Sequence, residues 1–460
     1  MDLDTPSAGR YAKLTPPLQV DPLRRARLFE LLDGMRRKFP AIWLAAPPGA
    51  GKTTLAASYL ANAGPLFWYR LDADDADPSW LFYFLAQALP GNMLALPRLS
   101  PMPPADQGRC ARLFFREFFA AMPEGATLVL DNVQEFDWEK AGHLLEPAFS
   151  EIPRGRCVMA LSRDQPPPRL ARLQLEGVLA MVGGKALRFD HDEARALARA
   201  GAARTPPAPE WLEQADGWAA GIVMLRDAEA AGDPCAQDAP AKDMQTVFRY
   251  FSGEVLSRMP ASSARLLLML SPLPDVSAED ALMQTGDPGA AQLLERLHAS
   301  QCFVERREGN ARAFRFHPLF HRFLRDEAHR SFSPVEMAQL QERAAGILDN
   351  RGQAGEAVRM YREAAAHDAL ADLLLRHAPA MLAAGEGATW ISWLSCLPPA
   401  GQEANPWLWY WQGSMLLGMD DLAAGAAWLR QRVDGRFTLW GLRLGALLAL
   451  DYARGARHSV

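Results

Sequence analysis

The chain has 460 residues, nearly half of them hydrophobic, and its 49 Lys and Arg against 54 Asp and Glu give a net charge of −5. That length holds roughly two to four domains, while the charge gives no electrostatic case for a nucleic-acid-binding body, although a local basic patch stays open. No apolar run reaches the ~18 residues of a membrane span, Met1-Asp2-Leu3-Asp4 has no signal-peptide character, and five scattered cysteines (Cys110, Cys157, Cys235, Cys302, Cys396) read as reduced thiols of a cytoplasmic protein.

Residues 1–20 are polar and proline-marked (Pro6, Pro16, Pro17) and read as an arm. Arg24, Arg25 and Arg27 then open an amphipathic helix with Leu28, Leu31 and Leu32. Charge pattern alone does not decide whether these arginines are more than a solvated basic face.

The apolar run Ala41 to Ala46 predicts a buried strand, followed by a small-residue loop and a helical pattern (Leu55, Tyr59, Leu60). Ala46-Pro47-Pro48-Gly49-Ala50-Gly51-Lys52-Thr53-Thr54 meets G-x-x-x-x-G-K-[ST], with Ala46 in the first position. Gly49 and Gly51 let successive N–H groups turn inward to phosphate oxygens, and the helix starting near Lys52 adds its positive end. Lys52 would reach the β- and γ-phosphates, and the Thr53 hydroxyl would sit on Mg²⁺.

Leu66 to Leu71 predicts a second strand. Asp72 to Pro78 predicts a solvated acidic turn with helix caps; it lacks the Gly and closing Glu of a calcium loop. Trp80, Phe84, Leu85 and Leu89 continue as a helix, and 90–107 is a proline-rich loop. Ala126 to Asn132 is an apolar strand ending in Asp131, where a nucleotide site holds Mg²⁺, usually through its water shell. Asn132, at the position of a second acid, cannot take a proton, and Glu135 lies three positions on. Slow hydrolysis is the most this pattern allows.

Arg156 to Arg163 predicts a fourth strand ending in Ser-Arg. On residues alone, Arg163 is a surface ion pair, with a γ-phosphate sensor as the alternative. Val178 to Phe189, interrupted by Gly183-Gly184, predicts a fifth strand. Strands alternating with helices give a parallel sheet covered on both faces. From His191 the chain is Ala-rich and helical, with a tightly packed helix opening at Asp216-Gly217-Trp218-Ala219-Ala220-Gly221 and a linker or long loop at 230–242. Residues 245–330 read as three helices and a hairpin, Cys302 to Glu305 and Ala313 to Phe316 flanking Glu308-Gly309-Asn310, which is a winged-helix pattern. His317 and His321 come without a zinc signature. From Pro334 onward the chain is helical, with partial repeats at Gly355 to Ala365 and from Trp407 to Trp411.

Taken together, these motifs resemble the MalT-like branch of the STAND regulators, the large ATP-binding LuxR-type activators. The resemblance rests on Lys13 to Pro17, Arg25-Ala26-Arg27-Leu28, the loop 46–54, Trp68 to Asp72 with Asp75 and Pro78, and Leu128 to Asn132. Leu161-Ser162-Arg163, Gly217 to Gly221, Phe316 to Phe320 and Trp393 to Pro398 extend it. It implies an α/β P-loop NTPase core on a parallel five-stranded sheet, then an α-helical domain, a winged helix and the start of a TPR-like superhelix. The boundaries it implies are 1–35 for the arm and first helix, 36–190 for the NTPase domain, 191–242 for a small helical domain, 243–330 for the winged helix and 331–460 for an incomplete helical-repeat sensor.

The resemblance further implies ADP at rest, and a shift by ATP and an inducer on the repeats to a self-associating, transcription-activating form. Carried over, Arg25 lies on the adenine and ribose side, Lys52 and Thr53 hold phosphate and Mg²⁺, Asp131 holds Mg²⁺, Arg163 is the sensor, and His317 touches the ADP β-phosphate and latches the closed state. Ala219 stands where relatives often have Pro. The family's C-terminal DNA-binding helix-turn-helix is not in this sequence, so DNA binding is not expected from this chain alone, and no membrane is expected. The expected function is an ATP/ADP-operated switch of a transcriptional regulator without its output domain. A nucleotide-stabilised interaction scaffold or a truncated regulator is the alternative, and a P-loop phosphotransferase, for which no acceptor motif is found, the lesser one.

Overall fold

The computed structural model describes residues 11–18, 22–89, 104–200, 209–231, 240–307, 310–418 and 427–428. The chain divides into two compact units, one of Met1–Pro260 with Gln292–Phe323, the other of Ala261–Ala291 with Leu324–Val460. Residues 1–10, 90–103, 232–239 and the turn residues Glu308-Gly309 of the sequence reading lie outside the described residues.

The first unit is built on five parallel strands: β1 (Ala41–Ala45), β2 (Leu66–Arg70), β3 (Thr127–Asp131), β4 (Cys157–Ser162) and β5 (Leu179–Val182). Their order is β2-β3-β4-β1-β5, with Trp43 level with Ala160 on one side and Met181 on the other. Every residue of β1, β3 and β4 is buried, which is why these runs are apolar throughout and not alternating. Trp43, Phe115, Phe118, Phe119 and Phe149 fill one face of the sheet, and Leu28, Leu32, Leu55 and Leu60 the other. The expected five-stranded parallel sheet is therefore present. Because β4 lies between β1 and β3, the segments leaving these three strands emerge side by side at their carboxyl ends, where open α/β sheets bind ligands.

Four local readings are corrected. The fifth strand ends at Val182, and Gly184–Leu187 forms a helical turn, since the Gly183-Gly184 pair offers no side chains to hold an extended edge strand. The proline-rich loop is shorter than 90–107, because a helix begins at Pro104, and the linker is shorter than 230–242, because a helix runs over Pro240–Glu254. Both helices start on a proline, the residue best suited to a first turn. The acidic turn is not wholly solvated. Asp75 is fully buried and accepts from Lys13 Nζ at 2.7 Å, the Tyr69 hydroxyl at 2.7 Å and the Asp72 amide at 2.8 Å. Burial raises its pKa against the pull of Lys13. The arm is thereby pinned on β2, with Leu14 buried beside Lys13.

Later in this unit, β7 (Val304–Arg307) and β8 (Asn310–Phe316) form the antiparallel hairpin expected of a wing. Cys302 and Phe303 precede the strand, Phe303 with φ of 58°. The second unit carries a short strand, β6 (Asp275–Ser277), and a run of helices: Pro334–Asn350, Ala354–Glu363, His367–Ala383, Gly387–Leu394, Pro399–Ala404 and Pro406–Gly418. Ser333 and Glu336 form a capping box at the start of the first. Trp390 is buried with its Nε1 donating to Leu374 O at 2.9 Å, and Arg351 pairs with Asp280. The aromatic stripe is core at Trp390 and Trp409, whereas Trp407 is exposed. Among the described residues no helix is long and apolar enough to cross a membrane.

The buried carboxylate yields a contrast. Asp75→Ala strands the Tyr69 hydroxyl, leaves the Lys13 ammonium to the exposed Asp72 alone, and should cost roughly 2–4 kcal/mol. Asp72→Ala, removing the exposed partner of Lys13 and a turn cap, should cost about 1 kcal/mol. Urea unfolding of the two variants measures both, and equal costs would show that the arm is not pinned through Asp75.

Candidate functional site

The strand β1 stops at Ala45, and the chain then makes the turn the small residues require. Gly49 and Gly51 have φ of 72° and 83°, a region costly for residues with a Cβ, and the helix Lys52–Leu60 starts at once with Gly51 as its cap. Ala46, Pro48 and Ala50 are buried, Pro47 is half-buried, and Gly49 and Thr54 are exposed. Lys52 Nζ donates to Ala46 O at 2.6 Å and Pro47 O at 3.0 Å, so the ammonium lies folded over its own loop. Burial, with Arg163 adding to it, lowers its pKa to about 7.

Beyond the neighbouring strands, the Thr53 hydroxyl donates to Asp131 Oδ1 at 3.2 Å. The carboxylate also accepts from the Asn132 amide at 3.0 Å, and burial nonetheless raises its pKa. Thr53 and Asp131 thus form an adjacent hydroxyl and carboxylate, an oxygen donor pair of the kind a hard divalent cation takes. Asn132 itself sits at φ 59°. Arg163, after β4, donates through Nη2 to Glu254 Oε2 at 3.3 Å. The ion-pair reading of Arg163 is realised here.

A second segment closes over the loop. Trp218 Nε1 donates to Pro48 O at 2.9 Å, and the Ala220 amide donates to Gly49 O at 2.9 Å. A Cβ on Gly49 would lie 2.5 Å from the Ala220 Cβ, so glycine is needed for this approach as well as for its φ. The reading of Gly217 to Gly221 as a tightly packed start was sound. Its partner, the phosphate loop itself, is a long-range contact with no local signal.

His317 is 8% exposed, and its Nε2 lies 3.1 Å from Ala215 O. A carbonyl only accepts, so Nε2 carries the proton and the buried, unpartnered Nδ1 presents a lone pair. Burial, then Arg188, lowers the imidazole pKa to about 3. In this state His317 is neutral and gains a donor for an anion only by taking up a proton. A cavity of about 330 Å³, lined by Pro47, Gly184, Arg188, Trp218, Gln301 and His317 among others, lies beside the loop. It falls in the range of small-molecule sites. Gln301, which sequence reasoning missed, accepts from the Gly184 amide through Oε1 at 3.0 Å.

Arg25 lies at the corner after β5. Only 4% exposed, it donates to Leu187 O at 2.8 Å, Arg188 O at 2.7 Å and Glu193 Oε2 at 2.7 Å, and stacks over Phe189. Its charge is spent on building the corner after β5, which contributes Leu187 and Arg188 to the cavity wall.

With this geometry in view, comparison with known proteins is direct. The model of the MalT winged helix domain matches residues 252–335. The HTH-type transcriptional regulator MalT of Serratia proteamaculans is 26% identical over 374 residues, 78% of this chain and 41% of the relative. That of Yersinia enterocolitica is 25% identical over 435 residues, 91% of this chain and 46% of the relative. The chain is similar to the MalT regulators over most of its length. It spans less than half the length of these curated relatives. Among solved structures, a STAND protein with a tetratricopeptide repeat sensor from Pyrococcus horikoshii aligns with 90% of this chain and 65% of its own, at TM-score 0.35 and 17% identity. A Walker-type ATPase of Pyrococcus abyssi aligns with 66% of this chain and 95% of its own, at TM-score 0.45 and 15% identity. The resemblance read from the motifs is borne out by the relatives.

The buried imidazole predicts a pH dependence of this MalT-like site. Unfolded, His317 takes a proton near 6.5; folded, only near 3. Between these values the unfolded chain binds more protons, so this contribution to stability is complete above about pH 6.5 and is lost as pH falls toward 3. His317→Gln keeps an N–H for Ala215 without the titration. Its urea midpoint relative to wild type should rise on going from about pH 7 to about pH 4.5, and a constant difference would contradict a neutral buried His317.

Proposed function

We propose that this chain is the nucleotide-operated switch portion of a MalT-like transcriptional regulator, binding ATP and ADP with Mg²⁺. The observation that carries the reading is the phosphate loop: a Gly-shaped turn at the carboxyl end of β1, with Lys52 donating to its own loop carbonyls. The residues fit the ligand. The amides of Gly49 and of Gly51 to Thr54 would cradle the phosphates, and Lys52 would exchange its carbonyl partners for phosphate oxygens. Thr53 and Asp131 would hold Mg²⁺, the metal supplying charge neutralisation between phosphate oxygens. Arg163 would sense the terminal phosphate. His317 would meet the phosphates once protonated. Arg25 would act on the base side indirectly, through the corner it builds.

Asn132 offers no base, so the proposed activity is a slow regulatory ATPase at most. The segments 36–190, 191–242, 243–330 and 331–460 would serve as NTPase, small helical, winged-helix and repeat-sensor parts, with an inducer on the last and self-association in the ATP form. An inducer shifts such an equilibrium only by its differential affinity for the two forms. The relatives' name supports a role in transcription.

The test is nucleotide content of the purified protein, then size in ADP and in ATP with Mg²⁺. Co-purified ADP, absent from Lys52→Ala, and growth in size with ATP are expected. No nucleotide in either protein at micromolar concentration would overturn the reading in favour of a scaffold. A second outcome follows from Lys52. Its ammonium, held down to about 7 by burial and Arg163, should regain an ordinary pKa beside phosphate, so ADP binding at about pH 8 should take up protons. Calorimetry in buffers of different ionisation enthalpy reads this uptake; its absence would mean that Lys52 does not meet the phosphates.

A further inference from the structure

A chain of ion pairs runs alongside the phosphate loop. Glu254 Oε2 accepts from Arg163 Nη2 at 3.3 Å and lies 3.1 Å from Arg258 Nη2, while Arg258 Nη1 lies 3.7 Å from Glu135 Oε1. Arg163 and Glu135 follow β4 and β3, the strands that carry the proposed sensor and Mg²⁺ carboxylate. Glu254 ends the helix Pro240–Glu254, and Arg258 ends the next turn, Leu256–Arg258. That helix also reaches the loop: the Tyr250 hydroxyl would lie 3.2 Å from a Cβ on Gly49. Its inner face is fixed by Phe251, which stacks on Trp218 at 5.2 Å and packs edge-on against Phe303 at 5.0 Å. Glu254 is thus held in place by an anchored helix and is not a freely moving surface carboxylate.

We infer that Glu254 sets the preference of this site for a nucleoside diphosphate over a triphosphate. Its carboxylate occupies the guanidinium that a terminal phosphate would claim. A diphosphate ends short of Arg163 and leaves the pair intact, whereas a triphosphate sets the negative oxygens of its terminal phosphate against Glu254 and must take Arg163 from it. One guanidinium facing two anions cannot satisfy both at full strength, so the cost falls on the triphosphate alone, and only such a differential cost changes selectivity. Arg258 carries the same event onward: it is shared by Glu254 and Glu135, so displacing Glu254 alters the pairing of the carboxylate nearest Asp131 downstream. The inference rests on the nucleotide reading above.

The experiment is calorimetric affinity for ADP and for a non-hydrolysable ATP analogue, both with Mg²⁺, in wild type, Glu254→Gln, Arg163→Met and the double variant. Glu254→Gln should leave ADP binding within about twofold and tighten the triphosphate roughly three- to tenfold, the span an ion pair of this exposure commands. In the Arg163→Met background the same substitution should change the ratio much less, the coupling that a double-mutant cycle isolates. Equal movement of both nucleotides, or an unchanged ratio, overturns the inference. Unaltered ADP affinity shows in the same titration that the variant is folded. Wild-type protein that binds neither nucleotide, and so matches Lys52→Ala, would bring down the nucleotide reading itself and the inference with it.

Discussion

The phosphate loop keeps its shape because another part of the chain spends two hydrogen bonds on it. Trp218 Nε1 on Pro48 O and the Ala220 amide on Gly49 O satisfy carbonyls that face outward when the loop amides turn inward. A buried carbonyl without a donor is expensive, so the loop conformation and the position of the 217–220 segment come as a pair. Trp218 in turn packs against Phe251 at 5.2 Å, Phe303 at 5.1 Å and His317 at 5.9 Å. One indole therefore ties the loop to the helix ending at Glu254 and to the residues flanking the β7–β8 hairpin. A change in the loop carbonyls is felt by that cluster before it is felt anywhere else, because aromatic packing has few intermediate arrangements.

Burial gives the site a common electrostatic character. It lowers Lys52 to about 7 and His317 to about 3, and raises Asp131 and Asp164. Each group is pushed toward its neutral form by the same desolvation. Under the proposed function, a polyphosphate and its divalent cation bring the missing countercharges together: negative oxygens for Lys52 and His317, a cation for Asp131. The gain on binding is then larger than contact alone would give, since the ligand also relieves groups that the fold has already desolvated. This is the sense in which the site is prepared for a highly charged ligand and not for an apolar one, although much of its wall is apolar.

How far the sequence carried this picture depended on whether a residue's reason was local. The strand β1, the turn through Gly49 and Gly51 and the helix from Lys52 were legible because apolar runs and small residues state their own backbone demands. Asp131 was legible from its place at the end of an apolar strand. Asp75 was misread because its acceptors' partners, Lys13 and Tyr69, are brought together only by the arm crossing β2. The contacts of Arg25 were not legible, because the direction of its donors depends on carbonyls some 160 positions away. Gln301 and Phe303 carry φ of 50° and 58° without being glycines, and nothing in their identity announces it. Backbone strain at such residues persists only where surroundings over-determine it, here the Gly184 amide on Gln301 and the aromatic cluster around Phe303.

These strained and ion-paired residues share a location. Gln301 meets Gly184, Glu305 meets Arg188, Glu254 meets Arg163 and His317 meets Ala215, so these four polar ties all land on segments bordering the phosphate loop or the cavity. None of these ties is strong alone; half-exposed ion pairs and single hydrogen bonds each contribute about 1 kcal/mol. Their number makes the arrangement stable, and their individual weakness makes it adjustable by a ligand that competes for just one or two of them. A switch needs states separated by a few kcal/mol, because a ligand can move an equilibrium only by its differential affinity. A single apolar interface of the same extent would have been harder to bias by one phosphate group. Under the proposed function, distributing the hold over several weak polar contacts places it on the scale that one phosphate can shift.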